Sequence, residues 1–175
     1  MKKLTLLLFA LLFAGSTFAQ DIAAGFRVGS GIHAVGVYNY KQDATIEARF
    51  GASWNNDEFI IHYGNVNAYE VSRIMLDFSL LHTWRLLNMD WTPSLGKWFV
   101  DGGAGVNVGG RANYAYAGVM GMARIGLSFF ELPLTVTFDW SPSFGPNFWY
   151  NDFGTKAGFN GMGIANLGVS CIYRF

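Results

Sequence analysis

The three histidines are the first residues to consider for chemistry, because histidine is a common acid–base catalyst and metal ligand. His33, His62 and His82 lie far apart in the sequence, and their spacing does not suggest a metal site. Lipid hydrolases combine a histidine with a serine and an acid, and Glu70 precedes His82 on one stretch of chain. The residues around His82 do not form a nucleophile elbow, so we predict no catalytic residues.

Two further features could carry chemistry. The stretch Gly102-Gly103-Ala104-Gly105 resembles a phosphate-binding loop, but no helix follows to present its N-terminus. We therefore expect these glycines to allow close strand packing or to make room for large neighbours. Cys171 is the only cysteine, so the chain has no intrachain disulfide framework. We predict that the protein is not an enzyme and that it uses no cofactor and no metal.

The charged residues are the most informative side chains, because they recur at alternate positions within segments that are otherwise apolar. An arginine facing lipid at the middle of a bilayer costs about 2–4 kcal/mol, so these charges must face inward if the segments are membrane strands. A narrow barrel is filled by its own side chains. The predicted interior charges are Arg27, Glu47, Arg49, Asp77, Arg85, Asp101, Arg124, Asp139 and Arg174. They favour a structural salt-bridge core, with a proton or ion path as the alternative.

The N-terminus has the pattern of a secretory signal. Lys2 and Lys3 precede an apolar run at 4–14, and Thr17-Phe18-Ala19 resembles a cleavage site. The run is too short for a transmembrane helix, which needs about 20 apolar residues. We predict a signal peptide at 1–19 and one domain at 20–175. Removing two of the 12 cationic residues leaves 10 against 12 acidic residues, so no basic surface suggests nucleic acid.

Alternation of apolar and polar residues predicts the fold. For example, Ile46, Phe50 and Trp54 alternate with Glu47 and Arg49. The predicted strands are 22–30, 32–40, 45–54, 72–86, 97–109, 115–130, 133–142 and 163–175. The fourth could also form an amphipathic helix, since residues 73–87 contain many helix formers. Eight strands of this length predict an all-β, eight-stranded antiparallel up-and-down transmembrane β-barrel.

The connections between these strands differ in length. Those at 41–44 and 131–133 are tight, whereas 55–71 and 143–162 are long. Membrane barrels place short turns in the periplasm and long loops outside, so we expect both long segments at the cell surface. The connection at 87–96 is longer than a usual periplasmic turn.

The long segment at 143–162 is rich in aromatic side chains. They fit either an aromatic girdle at the outer membrane interface or an exposed binding surface. The candidates for surface binding are Phe148, Trp149, Tyr150 and Phe153. The sequence names no extracellular ligand.

The C-terminus ends in Tyr173-Arg174-Phe175, with apolar residues at every second position before it. Tyr173 and Phe175 resemble the assembly signal that outer-membrane barrels present to the barrel-insertion machinery. We therefore expect this machinery to be a partner during assembly.

Several motifs resemble the small eight-stranded outer-membrane barrels of Bacteroidetes, which have an OmpX-like fold. They are Phe26-Arg27-Val28-Gly29-Ser30-Gly31, Ala48-Arg49-Phe50-Gly51, Asp101-Gly102-Gly103-Ala104-Gly105 and, most specifically, Glu131-Leu132-Pro133-Leu134-Thr135-Val136-Thr137-Phe138-Asp139-Trp140-Ser141-Pro142-Ser143-Phe144. The resemblance implies a fold and a membrane location, and it implies no activity.

The sequence as a whole predicts a monomeric barrel in the outer membrane of a Gram-negative bacterium, in contact with outer-membrane lipid. We expect a structural or surface-binding role. The alternatives are a lipid-modifying enzyme, a narrow channel and a soluble lipocalin-like barrel. The last would place apolar residues inside and charges outside, so the direction of the pattern separates it from a membrane barrel.

Overall fold

A computed structural model describes residues 21–54, 57–62, 65–70, 74–92, 94–151, 154–160 and 166–175. The predicted signal peptide at 1–19 and Phe153 lie outside the described residues. The described elements are all β-strands: β1 (Ile22–Gly29), β2 (Gly31–Lys41), β3 (Ala44–Ser53), β4 (Asp57–His62), β5 (Asn65–Glu70), β6 (Met75–Met89), β7 (Gly96–Arg111), β8 (Tyr114–Phe129), β9 (Leu134–Trp140), β10 (Ser143–Asn151), β11 (Gly154–Asn160) and β12 (Leu167–Arg174). Within these ranges there is no helix that could cross a membrane.

Eight of these strands form a closed antiparallel barrel. Following the hydrogen bonds, the order is β1, β2, β3, β6, β7, β8, β9 and β12, and the pairing of β12 with β1 closes it. Each strand pairs with the next barrel strand along the chain, so the topology is up-and-down, and the predicted all-β, eight-stranded antiparallel barrel is confirmed. The segment that could have been helical is strand β6, paired with β3 and β7.

The two ends of the barrel differ. The start of β1, the end of β12 and the short connections after β2 and β8 lie at one end, which we call the terminal end. The other end, which we call the hairpin end, carries the β4–β5 and β10–β11 hairpins. At the terminal end β6 extends to Met89, so the connection to β7 shortens to residues 90–95.

The interpretation of 55–71 and 143–162 as loops was wrong in part, because both segments contain paired strands. β10 pairs with the first part of β8, and β9 pairs with the last part. β9 and β10 therefore lie along the same neighbour, and the break between them is at Ser141-Pro142. Proline has no backbone N–H to donate, which accounts for a break in the pairing. The carbonyl of Pro142 still accepts a 2.9 Å hydrogen bond from Gly121.

The barrel wall separates apolar from charged side chains. Large apolar side chains at every second position are exposed on the outer wall, including Phe26, Ile32, Phe50, Leu76, Leu80, Val106, Val119, Phe138 and Val169. The intervening positions face inward and hold most of the charges. This direction is opposite to that of a soluble ligand-binding barrel, so it disfavours the lipocalin-like alternative.

The interior also contains apolar side chains, which the prediction of a polar interior did not include. Leu81, Met120 and Met122 form one buried cluster, and Met75, Tyr114 and Tyr116 form another. A third group of buried residues comprises Ala23, Val35, Val37 and Ile172. The interior is therefore a mixed core, in which apolar clusters surround the charged groups.

Candidate functional site

The strand register brings four charges of alternating sign into one row. Arg85 on β6 lies opposite Asp101 on β7, which lies opposite Arg124 on β8. Arg124 in turn lies opposite Asp139 on β9. Opposite charges on neighbouring strands stabilise a sheet, so this row both positions the side chains and favours the observed register.

Three of these residues, Arg85, Asp101 and Arg124, form a series of hydrogen bonds that leads to Glu47. Arg85 Nε donates to Asp101 Oδ1 at 2.6 Å, and Arg124 Nη2 donates to Asp101 Oδ2 at 2.8 Å. Arg124 Nη1 then donates to Glu47 Oε2 at 2.5 Å. Arg124 is thus held between two carboxylates, and Asp101 between two guanidinium groups.

The connection continues from Glu47 toward the hairpin end. Arg49 Nε donates to Glu47 Oε1 at 2.6 Å, and Arg49 Nη1 lies 3.3 Å from Asp139 Oδ1. Arg27 donates to Asp139 through Nε at 3.0 Å and through Nη2 at 3.0 Å. Arg27 Nη2 also donates to Asn166 Oδ1 at 3.0 Å, near the tight turn at Ser30.

These contacts form one continuous series of alternating charges, which we call the ion-pair network. Its seven members are Arg27, Asp139, Arg49, Glu47, Arg124, Asp101 and Arg85. Each carboxylate accepts from two arginines. All members except Arg85 are buried, and Glu47 and Asp139 are 0% exposed. Buried charges persist only when paired and hydrogen-bonded, and the network satisfies both conditions.

The other two predicted interior charges lie apart from this network. Asp77 is buried, and its Oδ1 lies 2.9 Å from His33 Nε2. Arg174 is exposed at the terminal end, where its Nη2 donates to the Phe129 carbonyl at 3.2 Å. Among the described residues, Arg174 forms no ion pair with a carboxylate.

Sequence reasoning missed several neutral groups that complete the hydrogen bonds. Ser141 Oγ donates to Asp139 Oδ1 at 2.6 Å and accepts from Arg49 Nη1 at 3.0 Å. His33, which was considered only as a metal ligand, faces inward toward Asp77. Its alternate position, on the same face of β2 as Val35 and Val37, was the available signal.

The glycines of the interior make room for these large side chains. A Cβ placed on Gly168 would lie 2.4 Å from Cζ of Arg27, so the guanidinium occupies the space that a side chain would need. A Cβ on Gly103 would lie 3.1 Å from the Met122 methyl and 3.2 Å from the Thr83 methyl. The expectation that glycines such as Gly103 accommodate close packing agrees with these distances.

The residues considered for other roles are placed as follows. Tyr173 and Phe175 are exposed at the terminal end, with their rings 5.3 Å apart and edge to face. Phe148 is half-buried and Tyr150 is exposed. Trp149 packs edge to face on Tyr114 at 4.7 Å and contacts the cluster of Met75, Tyr114 and Tyr116.

His82 lies on the outer wall near the terminal end. Its Nε2 contacts the Tyr40 hydroxyl, and its ring meets that of Trp84 edge to face at 4.6 Å. Within the described ranges, no group of three or more His, Cys, Asp or Glu side chains could hold a metal ion.

Comparisons with known protein families, with curated proteins and with solved structures find no match to this chain. The similarity to Bacteroidetes barrels is therefore supported only by the motifs quoted above. The structure shows that the chain is a small, closed antiparallel barrel.

Proposed function

We propose that the protein is a structural barrel of a bacterial outer membrane, with a closed interior and with its two long hairpins presented at the cell surface. The observation that carries the proposal is the exposed apolar outer wall around a charged core. Only one face of each strand meets lipid in a membrane barrel, and that face must be apolar.

Exposed aromatic side chains at the terminal end support a membrane location. Trp and Tyr are enriched at membrane–water interfaces, where their rings sit at the level of the lipid headgroups. Such residues surround this end of the barrel: Tyr38, Tyr40, Trp84, Trp91, Phe130, Tyr173 and Phe175. Phe144, Tyr150 and Phe159 are exposed near the opposite end. Two aromatic zones that flank an apolar wall are typical of membrane barrels.

The ion-pair network supports a closed barrel rather than a channel. It crosses the interior from Arg27 to Arg85 through direct hydrogen bonds, while Leu81, Met120 and Met122 fill the neighbouring space. An interior filled in this way is expected for a barrel of eight strands. A structural role, with surface binding through the hairpins, accounts for these features without a catalytic group.

The apolar outer wall provides a sharp test of membrane residence. Leu80 is exposed on this wall near the middle of β6. Leu80→Arg should destabilise the folded barrel by about 2–4 kcal/mol in a lipid bilayer, because the guanidinium would face hydrocarbon. Unfolding by urea in vesicles measures this change, and cell fractionation with unheated and boiled gel samples locates the protein.

The matched control is Leu132→Arg, in the exposed turn between β8 and β9. This variant should retain the stability and the outer-membrane location of the unmodified protein. Recovery of the unmodified protein in the soluble periplasm, or a Leu80→Arg variant as stable as the control, would contradict membrane residence.

A second test concerns assembly. Deleting Phe175 should reduce the amount of folded barrel in the outer membrane and increase its degradation by periplasmic proteases, since the terminal aromatic residue is the proposed assembly signal. Pulse-labelling followed by gel mobility measures both effects. Phe130→Ala removes another exposed aromatic residue at the same end and should leave assembly unchanged. Normal membrane levels after the deletion would remove the proposed role of Phe175.

A further inference from the structure

A large cavity opens at the terminal end of the barrel. Its volume is about 830 Å³, and it extends inward as far as Asp101 and Arg124 of the ion-pair network. Cavities that hold small organic ligands have volumes of about 300–1,000 Å³. The interior is therefore filled in its middle but leaves a space of ligand size below the network, which we call the vestibule.

The vestibule has one apolar side. Ala23, Val37 and Ile172 line it, and they belong to one buried apolar cluster contributed by three neighbouring strands. Elsewhere on the wall the Phe99 ring lies under the guanidinium of Arg85, whose Cζ is 4.0 Å from the ring centroid. Apolar and aromatic surface of this kind suits a hydrocarbon or aromatic ligand body.

The vestibule also carries an excess of positive charge. Five cationic residues line it, namely Lys41, Arg85, Lys97, Arg124 and Arg174, against the two carboxylates of Asp21 and Asp101. Arg85 and Arg124 are both bound to Asp101. Within the described part of the chain, Lys97 and Arg174 form no ion pair, so their charges are available to an anion.

A buried hydroxyl adds an independent sign of a missing partner. Thr137 lines the vestibule and is 2% exposed. No hydrogen-bond partner for its Oγ1 is found among the described residues. Other hydroxyls of the wall are paired, as in the 3.1 Å contact between Ser128 and Thr135. A buried polar group without a partner is uncommon in folded proteins and fits a bound ligand or water.

We propose that the vestibule binds a small organic anion with an apolar body and a carboxylate. Lys97 and Arg174 bind the carboxylate, and the Ala23–Val37–Ile172 side receives the apolar body. Lys97 lies opposite Ser128 in the sheet, and Arg174 donates to the carbonyl of the adjacent Phe129, so both cations are placed around the end of β8. The inference rests on the proposed function in one respect: in an outer-membrane barrel, the vestibule opens to the periplasm.

Calorimetry on the barrel in lipid nanodiscs tests the proposal with naphthalene-2-carboxylate as the probe. The neutral naphthalene-2-carboxamide and inorganic phosphate serve as comparisons, and empty nanodiscs correct for partition into lipid. We expect binding of the carboxylate, with affinity at least about tenfold above that of the amide, because charge-assisted hydrogen bonds are the stronger kind. Lys97→Gln with Arg174→Gln should remove this preference.

The control is Arg111→Gln at the hairpin end, where Arg111 lies over Tyr114 and Trp149. This variant should bind as the unmodified protein does. Equal affinities for the carboxylate and the amide, or an unchanged double variant, would overturn the anion site, and equal affinity for phosphate would overturn the apolar subsite. Heat-modified gel mobility establishes folding of each variant first. If the unmodified protein does not run as a folded barrel, the proposed function is contradicted. If it is folded but does not bind the carboxylate, only the vestibule proposal is contradicted.

Discussion

Replacing Glu47 by glutamine should lower the free energy of unfolding by about 3–5 kcal/mol, the usual cost of leaving a buried charge without its partner. Glu47 is completely buried and accepts hydrogen bonds from both Arg49 and Arg124. Glutamine retains the shape of the side chain but leaves these two arginines with one negative charge fewer between them. The lost energy is large because water cannot reach the guanidinium groups to replace the carboxylate.

Urea unfolding in lipid vesicles, followed by tryptophan fluorescence, measures this change. Glu131→Gln is the matched control, because Glu131 lies exposed in the turn between β8 and β9. An exposed charge contributes little, so the control should unfold as the unmodified protein does. A Glu47→Gln variant as stable as Glu131→Gln would mean that the network does not stabilise the barrel.

The interior charges could be predicted from the sequence because side chains of a β-strand alternate between its two faces. In a β-strand alternate residues share a face, so a shift of one residue would turn Glu47 and Arg49 together to the outer wall. That arrangement would place two charges among apolar neighbours such as Ile46 and Phe50. Sequence alone therefore predicted which face of β3 is buried, and the structure places both charges inside.

The identity of each charge's partner could not be predicted in this way. Arg27 binds Asp139 and Arg49 reaches the same carboxylate, although these residues are distant in sequence. The pairing depends on the tilt and stagger of the strands and on side-chain conformations, which alternation does not encode. The same applies to His33 and Asp77, which approach each other from β2 and β6.

The strands of the hairpin end were missed because their composition is typical of loops. Gly145, Pro146 and Asn147 favour turns, yet all three lie within β10. Burial alternates here as in the other strands, with Gly145 and Asn147 buried and Pro146 exposed. Polar alternation was present in this segment, but glycine and proline dominated its interpretation.

Arg174 shows where alternation stops being sufficient. It occupies an inward position by parity, but it is the last residue of β12, where the vestibule is open to solvent. Burial at such a position depends on how far neighbouring strands extend beyond it. The difference between Arg174 and Arg124 therefore follows from depth in the barrel rather than from residue type or face.

Because of this difference, we expect the same substitution to have unequal effects on stability at Arg124 and Arg174, which both belong to the predicted interior charges. Arg124→Ala should destabilise the barrel by about 3–5 kcal/mol, because it removes the cation that bridges Glu47 and Asp101 and leaves each carboxylate bound to one described arginine. Arg174→Ala should leave stability nearly unchanged, since Arg174 is exposed and donates one hydrogen bond, to the Phe129 carbonyl.

Both variants remove the same side chain, so the comparison isolates the contribution of the network. Urea midpoints in vesicles, together with the temperature at which the folded gel band disappears, measure the two effects. Adding Glu47→Gln to Arg124→Ala should cost less than the sum of the single changes, because removing a cation and an adjacent anion restores the balance of charge. Equal losses for Arg124→Ala and Arg174→Ala would assign the effect to lost packing, and full additivity of the double variant would mean that Glu47 and Arg124 do not interact.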